Sequence, residues 1–172
     1  MRWMWIDRIV DFEANTRLVT VKAVTGDENY LVDQFADDAQ STAVAVYPAS
    51  LMIEGMAQTA GLLVGSVNRF KENVVLAKVV IAQFDCEVLP GQTIRFEARL
   101  DRIDKAGAAT QGIVYRLDPP KTDFQPIGRI DLMFSHVDRS NSDLDFPDEN
   151  FVFSENFRTI LREAGLEGLA DF

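Results

Sequence analysis

The sequence predicts an α+β domain: one long apolar helix with a curled antiparallel sheet wrapped around it, followed by a short C-terminal helix. Three observations carry that expectation. The stretch Tyr47 to Phe70, YPASLMIEGMAQTAGLLVGSVNRF, is apolar on nearly every side, which demands burial. Most of the remaining chain up to residue 137 reads as strands, either alternating or valine-rich, separated by turn signals. Strands that follow one another without intervening helices build an antiparallel sheet on a helix, not alternating strand–helix units.

Bulk properties narrow the classes. A chain of 172 residues with 47% hydrophobic content suits one domain with a sizeable core. The net charge of -10 opposes nucleic acid, whose phosphates it repels. An acidic protein partner would need a local basic patch. Cys86 is the single cysteine, which excludes an internal disulfide and fits a reducing cytoplasm. With one histidine in the chain, no metal site is expected. Arg2, Asp7 and Arg8 leave no apolar run of signal-peptide length at the start.

In chain order, Trp3 to Phe12 mixes apolar and charged residues and ends in a turn at Glu13-Ala14-Asn15. Val19, Val21 and Ala23 alternate with Thr20 and Lys22, a half-buried strand that pairs antiparallel with the first. Gly26-Asp27 breaks it. Residues 29–47 form an irregular loop before the helix. Pro48 suits the helix start, where its missing N–H costs nothing. Glu54 and Gln58, one turn apart, would be costly in lipid, and Asn68-Arg69 follow too soon for a span. The helix is therefore expected from about Pro48 to Phe70 at the centre of a soluble domain.

Val74 to Phe84 reads as the next strand and Pro90-Gly91 as a turn. Ile94, Phe96, Ala98 and Leu100 then alternate with Arg95, Glu97, Arg99 and Asp101. After Lys105-Ala106-Gly107 come strands at Ile113-Val114-Tyr115 and Ile127 to Val137. Asp138 to Asn150 is a polar, acidic linker, and Ser154 caps a helix to about Ala164 with Gly165 as its stop. Phe157, Ile160 and Leu161 share one face of that helix. The expected organisation is a domain over 1–137 and a tail over 138–172.

Glu54 carries the chemical signal. A carboxyl in an apolar setting resists ionisation and can serve as a general acid near neutral pH. Gln58, at i+4, lies on the same face and can orient it or a substrate oxygen. The alternative is an acid at the helix rim, in contact with water. His136 shares strand parity with Ile130, Leu132 and Phe134, so it is expected at the core edge, bonded to backbone.

The run P-A-S-L-M-I-E-G-M-A-Q at Pro48 to Gln58 resembles the 3-hydroxyacyl-acyl-carrier-protein dehydratases of fatty-acid synthesis. Their pattern is P-G-x-L-x-x-E-A-M-A-Q on the central helix of a hot-dog fold. W-I-D-R-I from Trp5 belongs to the same resemblance. So does Q-F-D-C-E-V-L-P-G-Q, similar to the family's R-F-x-x-x-V-x-P-G-D. The likeness runs from about Trp5 to about His136. Two departures matter: Ala49 stands where the family has glycine, and the catalytic histidine of the loop G-H-F-P-G-x-P-V-M-P is missing. Matching Gln34-Phe35-Ala36 to His-Phe-Pro puts Gln34 at that position; holding the spacing to Glu54 puts Gln40 there. Gln34 is preferred because Phe35 follows it and Tyr30-Leu31 precede it.

The resemblance implies a site with Glu54 and Gln34 in the catalytic positions and Phe35, Pro48, Ala49, Ser50 and Gln58 around the substrate. In the family a histidine removes the α-proton of a 3-hydroxyacyl thioester and the helix acid protonates the departing hydroxyl. Backbone N–H groups near Ala49-Ser50 would hold the thioester carbonyl. Glutamine does not titrate, and a positioned base contributes about 10²–10⁴-fold, so dehydration is expected to be impaired. Two alternatives remain: a hot-dog acyl thioesterase using Glu54 with Gln34 or Gln58, and a non-catalytic acyl-thioester-binding or partner subunit. The implied partner is an acyl substrate on acyl carrier protein or CoA. No cofactor, metal, nucleic acid or membrane span is expected. A single curled sheet leaves open edges, so a homodimer or higher homo-oligomer is expected. Arg95, Arg99, Arg102 and Lys105 are read as a solvated strand face, because Glu97, Asp101 and Asp104 interleave with them, rather than as a stripe for a phosphopantetheine arm.

Overall fold

The computed structural model describes residues 3–27, 31, 45–137 and 155–169. Among the described residues six strands form one sheet: β1 (Arg8–Glu13), β2 (Arg17–Ala23), β3 (Asn73–Phe84), β4 (Thr93–Ile103), β5 (Gly107–Leu117) and β6 (Gln125–Val137). Their order is β1-β2-β4-β5-β6-β3, and every neighbouring pair is antiparallel. Helix α1 (Ala49–Val67) packs on one face, touching β2 through β6. Helix α2 (Glu155–Glu163) follows the sheet and lies against β1.

α1 is shorter than expected at both ends. Pro48 is extended, with φ -60° and ψ 134°, and precedes the first turn instead of joining it. At the other end Arg69 and Phe70 take left-handed backbone, φ 54° and 58°, which stops the helix. Burial of Phe70 and the bond from its N–H to the Gly65 carbonyl at 2.8 Å offset that strain.

The helix and sheet meet at Gly55. A Cβ there would lie 2.6 Å from the Phe96 ring and 3.1 Å from the Trp5 carbonyl, so only glycine lets all three approach. A buried polar link lies one turn along. The Thr59 hydroxyl donates to the Gly55 carbonyl at 2.8 Å. Its single proton is thereby committed, so the Thr20 hydroxyl, 2.6 Å away, must donate to it. This ties α1 to β2.

β4 keeps the expected alternation: Ile94, Phe96 and Ala98 are fully buried on the helix side. On the other face, Arg95 stacks between Tyr115 and Phe124, 4.1 Å and 4.6 Å from the ring centroids. Arg99 and Arg17 flank Glu97 at 2.9 Å and 3.8 Å, and Arg102 pairs with Asp104 at 3.9 Å. Most of the arginines on this face are thus engaged locally, as a solvated strand face requires.

Three features differ from expectation. β5 begins at Gly107, not near Ile113, because Asp104 accepts N–H bonds from Ala106 and Gly107 and closes the hairpin there. β3 sits at the sheet edge. Its middle is exposed, with Val75, Leu76, Val79 and Val80 between 36% and 48%, and it carries two register shifts. His136 does not bond to backbone through its ring. Its Nδ1 lies 2.9 Å from Glu72 Oε2, off the hydrogen-bonding direction, and neither ring nitrogen has an aligned partner among the described residues.

The tail folds back as its pattern demands, with Phe157, Ile160 and Leu161 at 8%, 2% and 1% exposure. Gly165 ends it with φ 69°, and Arg69 reaches the Gly168 carbonyl at 3.4 Å. Ser154 and the linker 138–154 lie outside the described residues. Ile160→Ala and Leu161→Ala are each expected to cost about 2–5 kcal/mol, as for other buried aliphatic truncations. Urea unfolding measures this, and losses under about 0.5 kcal/mol would make α2 a mere appendage.

Candidate active site

Glu54 and Gln58 face the same side of α1, and the N-terminal segment lies over them. Gln58 Nε2 donates to Glu54 Oε1 at 3.0 Å, and the Trp3 indole Nε1 donates to the same oxygen at 3.1 Å. Gln58 Oε1 accepts the Trp5 backbone N–H at 2.9 Å. The amide is thus used at both ends, which sets its orientation and holds the Glu54 carboxyl in one rotamer. Among the described residues nothing pairs with Glu54 Oε2. Since Oε1 already accepts two N–H groups, a proton on this carboxyl belongs on Oε2.

Glu54 is half-buried and opens onto a cleft of about 200 Å³. α1 supplies Glu54, Ala57 and Gln58; β3 supplies Val74 and Leu76; β6 supplies Phe134. Trp3 and Phe157 close it from the N-terminal segment and α2. The register sets Leu76 beside Phe134 and Val74 beside His136, on the sheet face that looks toward α1. One carboxyl and one amide in an otherwise apolar cleft fit a ligand with an alkyl body and a single polar reacting group. Both the interior acid and the rim acid are partly right, because Glu54 sits where the apolar wall meets solvent.

The structure brings Glu54 and Gln58 together. Pro48, Ala49 and Ser50 lie at the head of α1, outside the cleft lining, with Ala49 and Ser50 exposed. At 1.5 Å per residue, Ser50 is about 6 Å along the axis from Glu54. Gln34, Phe35 and the alternative Gln40 fall outside the described residues. Trp3, Val74, Leu76, Phe134 and Phe157 were not foreseen as cleft walls. For Trp3 the available signal was its indole donor, a group that seeks an acceptor when half-covered.

Among the described residues no group of three or more histidine, cysteine or acidic side chains can hold a metal, and no helix is long and apolar enough to cross a membrane.

A family model described as FabA-like domain matches residues 2–116. The chain belongs to this family. It is 33% identical over 113 residues to a 3-hydroxyacyl-[acyl-carrier-protein] dehydratase FabZ of Solibacter usitatus, covering 64% of this chain and 65% of that one. It therefore spans just under two thirds of that relative's length. A FabZ of Caldanaerobacter subterraneus is 30% identical over 112 residues, covering 64% and 75%. A coronafacic acid dehydratase of Pseudomonas savastanoi is 30% identical, covering 56% and 64%. Among solved structures, a thioesterase superfamily member from Thermus thermophilus superposes with TM-score 0.57 at 16% identity, covering 74% and 85%. A dehydratase heterocomplex from Xenorhabdus doucetiae gives 0.56 at 13%, covering 80% and 85%. At these identities the likeness shows the fold alone, and with the family match it identifies the hot-dog fold. β6 and α2 lie beyond the matched residues.

Gln58→Leu removes the acceptor of the Trp5 N–H and the donor to Glu54. It is expected to lower stability by about 1–3 kcal/mol in chemical denaturation. Glu54→Gln keeps an oxygen to accept from Trp3 and Gln58 and is expected to stay within about 1 kcal/mol of the parent.

Proposed function

We propose that the protein is a dehydratase-like member of its family that acts on 3-hydroxyacyl thioesters, with Glu54 as the acid. The observation that carries this reading is the anchored carboxyl: Oε1 tied down by Trp3 and Gln58, and Oε2, unpaired among the described residues, facing an apolar cleft. In the reaction a base takes the proton from C2 of the substrate. The C–H electron pair becomes the C2–C3 double bond, and the C3 hydroxyl leaves as water with the proton from Glu54. The thioester carbonyl is taken up at the head of α1. That helix has no side-chain cap and no acid in its first turn, so the Ala49 and Ser50 N–H groups have no such competitor.

Gln34 is proposed for the position of the proton acceptor, with Phe35 and Pro48 beside the substrate. A glutamine there cannot take the proton, so turnover is slow by the worth of a base. The acyl group arrives on acyl carrier protein or CoA. The free, lone Cys86 fits a cytoplasmic setting. The body is assigned to residues 1–137, built on the one long central helix α1, and the tail to 138–172.

A homodimer completes the reading. Among the described residues β3 presents an unpaired strand edge, with Val75, Leu76, Val79 and Val80 exposed, and a second copy can extend the sheet there by two-fold antiparallel pairing.

Enoyl formation from 3-hydroxyacyl-CoA and carrier-protein substrates, followed by absorbance, tests the chemistry. Expected are slow turnover in the parent, a gain approaching about 10²–10⁴-fold in Gln34→His, and loss of residual activity in Glu54→Gln with the fold intact. Thiol release that needs Glu54, with no gain from Gln34→His, would make the protein a thioesterase instead. Tight acyl-thioester binding without either product would make it a binding or partner subunit. Sedimentation should give a dimer at micromolar concentration, and Val79→Lys should shift it toward monomer.

A further inference from the structure

We infer that the tail helix α2 sets the length of acyl chain the protein accepts, with Phe157 as the end wall of the cleft. The inference rests on the reading that the Glu54 cleft binds an acyl thioester. Phe157 is 8% exposed and shares the cleft with Glu54, Val74, Leu76 and Phe134. It therefore spends its surface on the cleft and the core, not on solvent.

The wall is held rigidly. Ile160 and Leu161, three and four residues on, are at 2% and 1% exposure and belong to the main core. The Leu166 N–H closes back on the Leu161 carbonyl at 2.8 Å, and Arg69, just past α1, reaches the Gly168 carbonyl at 3.4 Å. A side chain anchored on its own helix in this way resists displacement by a ligand. The family match ends at residue 116, so this wall comes from outside the matched region.

Size gives the class of substrate. A dry protein cavity of about 150 Å³ holds one benzene, so by proportion the cleft of about 200 Å³ holds roughly eight non-hydrogen atoms. That suits a short unbranched acyl group. Removing the phenyl ring of Phe157 frees room of the order of one further benzene, enough for several methylenes.

The test uses the full chain and non-hydrolysable thioether analogues of saturated acyl-CoA, from four to sixteen carbons, titrated calorimetrically. These lack the 3-hydroxyl and the scissile thioester, so binding is read apart from turnover. For the parent, affinity should rise about fourfold per methylene, the equivalent of burying one CH₂, and then break near eight carbons. Phe157→Ala should move the break to longer chains, Phe157→Leu should move it less, and Phe157→Trp should shorten it. The Leu and Trp variants keep an apolar anchor, so a folding defect in Phe157→Ala does not remove the test. A break that stays fixed across folded variants overturns the wall while leaving the cleft reading standing. A parent that binds none of the analogues defeats the cleft reading, and the wall falls with it.

Discussion

The close approach at Gly55 governs the rest of the molecule. With no side chain there, the Phe96 ring can press on α1 and the Trp5 carbonyl can lie alongside, at distances a Cβ would forbid. Phe96 is at 0% exposure, so the contact is the inner seam of the core. The same approach carries the N-terminal segment across the helix. That crossing puts Trp5 within reach of Gln58 and Trp3 within reach of Glu54, one residue before the glycine. A packing requirement and the arrangement of the acid are therefore one geometric fact. Any residue larger than glycine at position 55 would disturb both.

The polar groups inside this seam are arranged in series rather than scattered. Thr20 gives its proton to Thr59, which gives its own to the Gly55 carbonyl. Gln58 accepts from Trp5 and donates to Glu54. Each of these four donors finds an acceptor, which avoids the penalty of about 1–3 kcal/mol for an unmatched group. The series ends at Glu54, where among the described residues one oxygen is used and one is spare. The chain thus fixes the carboxyl by an indole and an amide donor, neither of which titrates. That is the support a reacting group needs when its rotamer must survive proton loss and gain.

Much of this was legible in the residues, because local periodicity reports burial on one element at a time. The apolar helix, the alternation at Ile94 to Leu100, the i, i+3, i+4 face at Phe157, Ile160 and Leu161, and the Glu54–Gln58 pair all emerged from spacing. What escaped depends on register and contact between distant segments. A valine-rich run such as Val74 to Ile81 reads the same in a sheet centre as at an edge, and only the pairing order puts β3 at the edge. His136 comes within 2.9 Å of Glu72, a residue far away in the chain, only after β3 and β6 align. β5 starts early because Asp104 closes a turn, while Ala108 to Gly112 carries little strand propensity of its own. Trp3 and Phe157 become cleft walls through elements that meet from opposite ends of the sequence.

The sheet order also has a consequence during synthesis. Among the described residues β3 hydrogen-bonds only to β6, and about 40 residues separate the end of one from the start of the other. At about 5–20 residues per second, the valines of β3 leave the ribosome roughly 2–8 seconds before their partner strand exists. During that interval Lys78 is the one charged side chain between Asn73 and Phe84. It interrupts a segment that would otherwise suit intermolecular strand stacking. In the folded chain Lys78 is exposed on β3. Its charge bears on the nascent chain, where one lysine in a valine-rich run disfavours stacking between the unfinished sheets of neighbouring polypeptides.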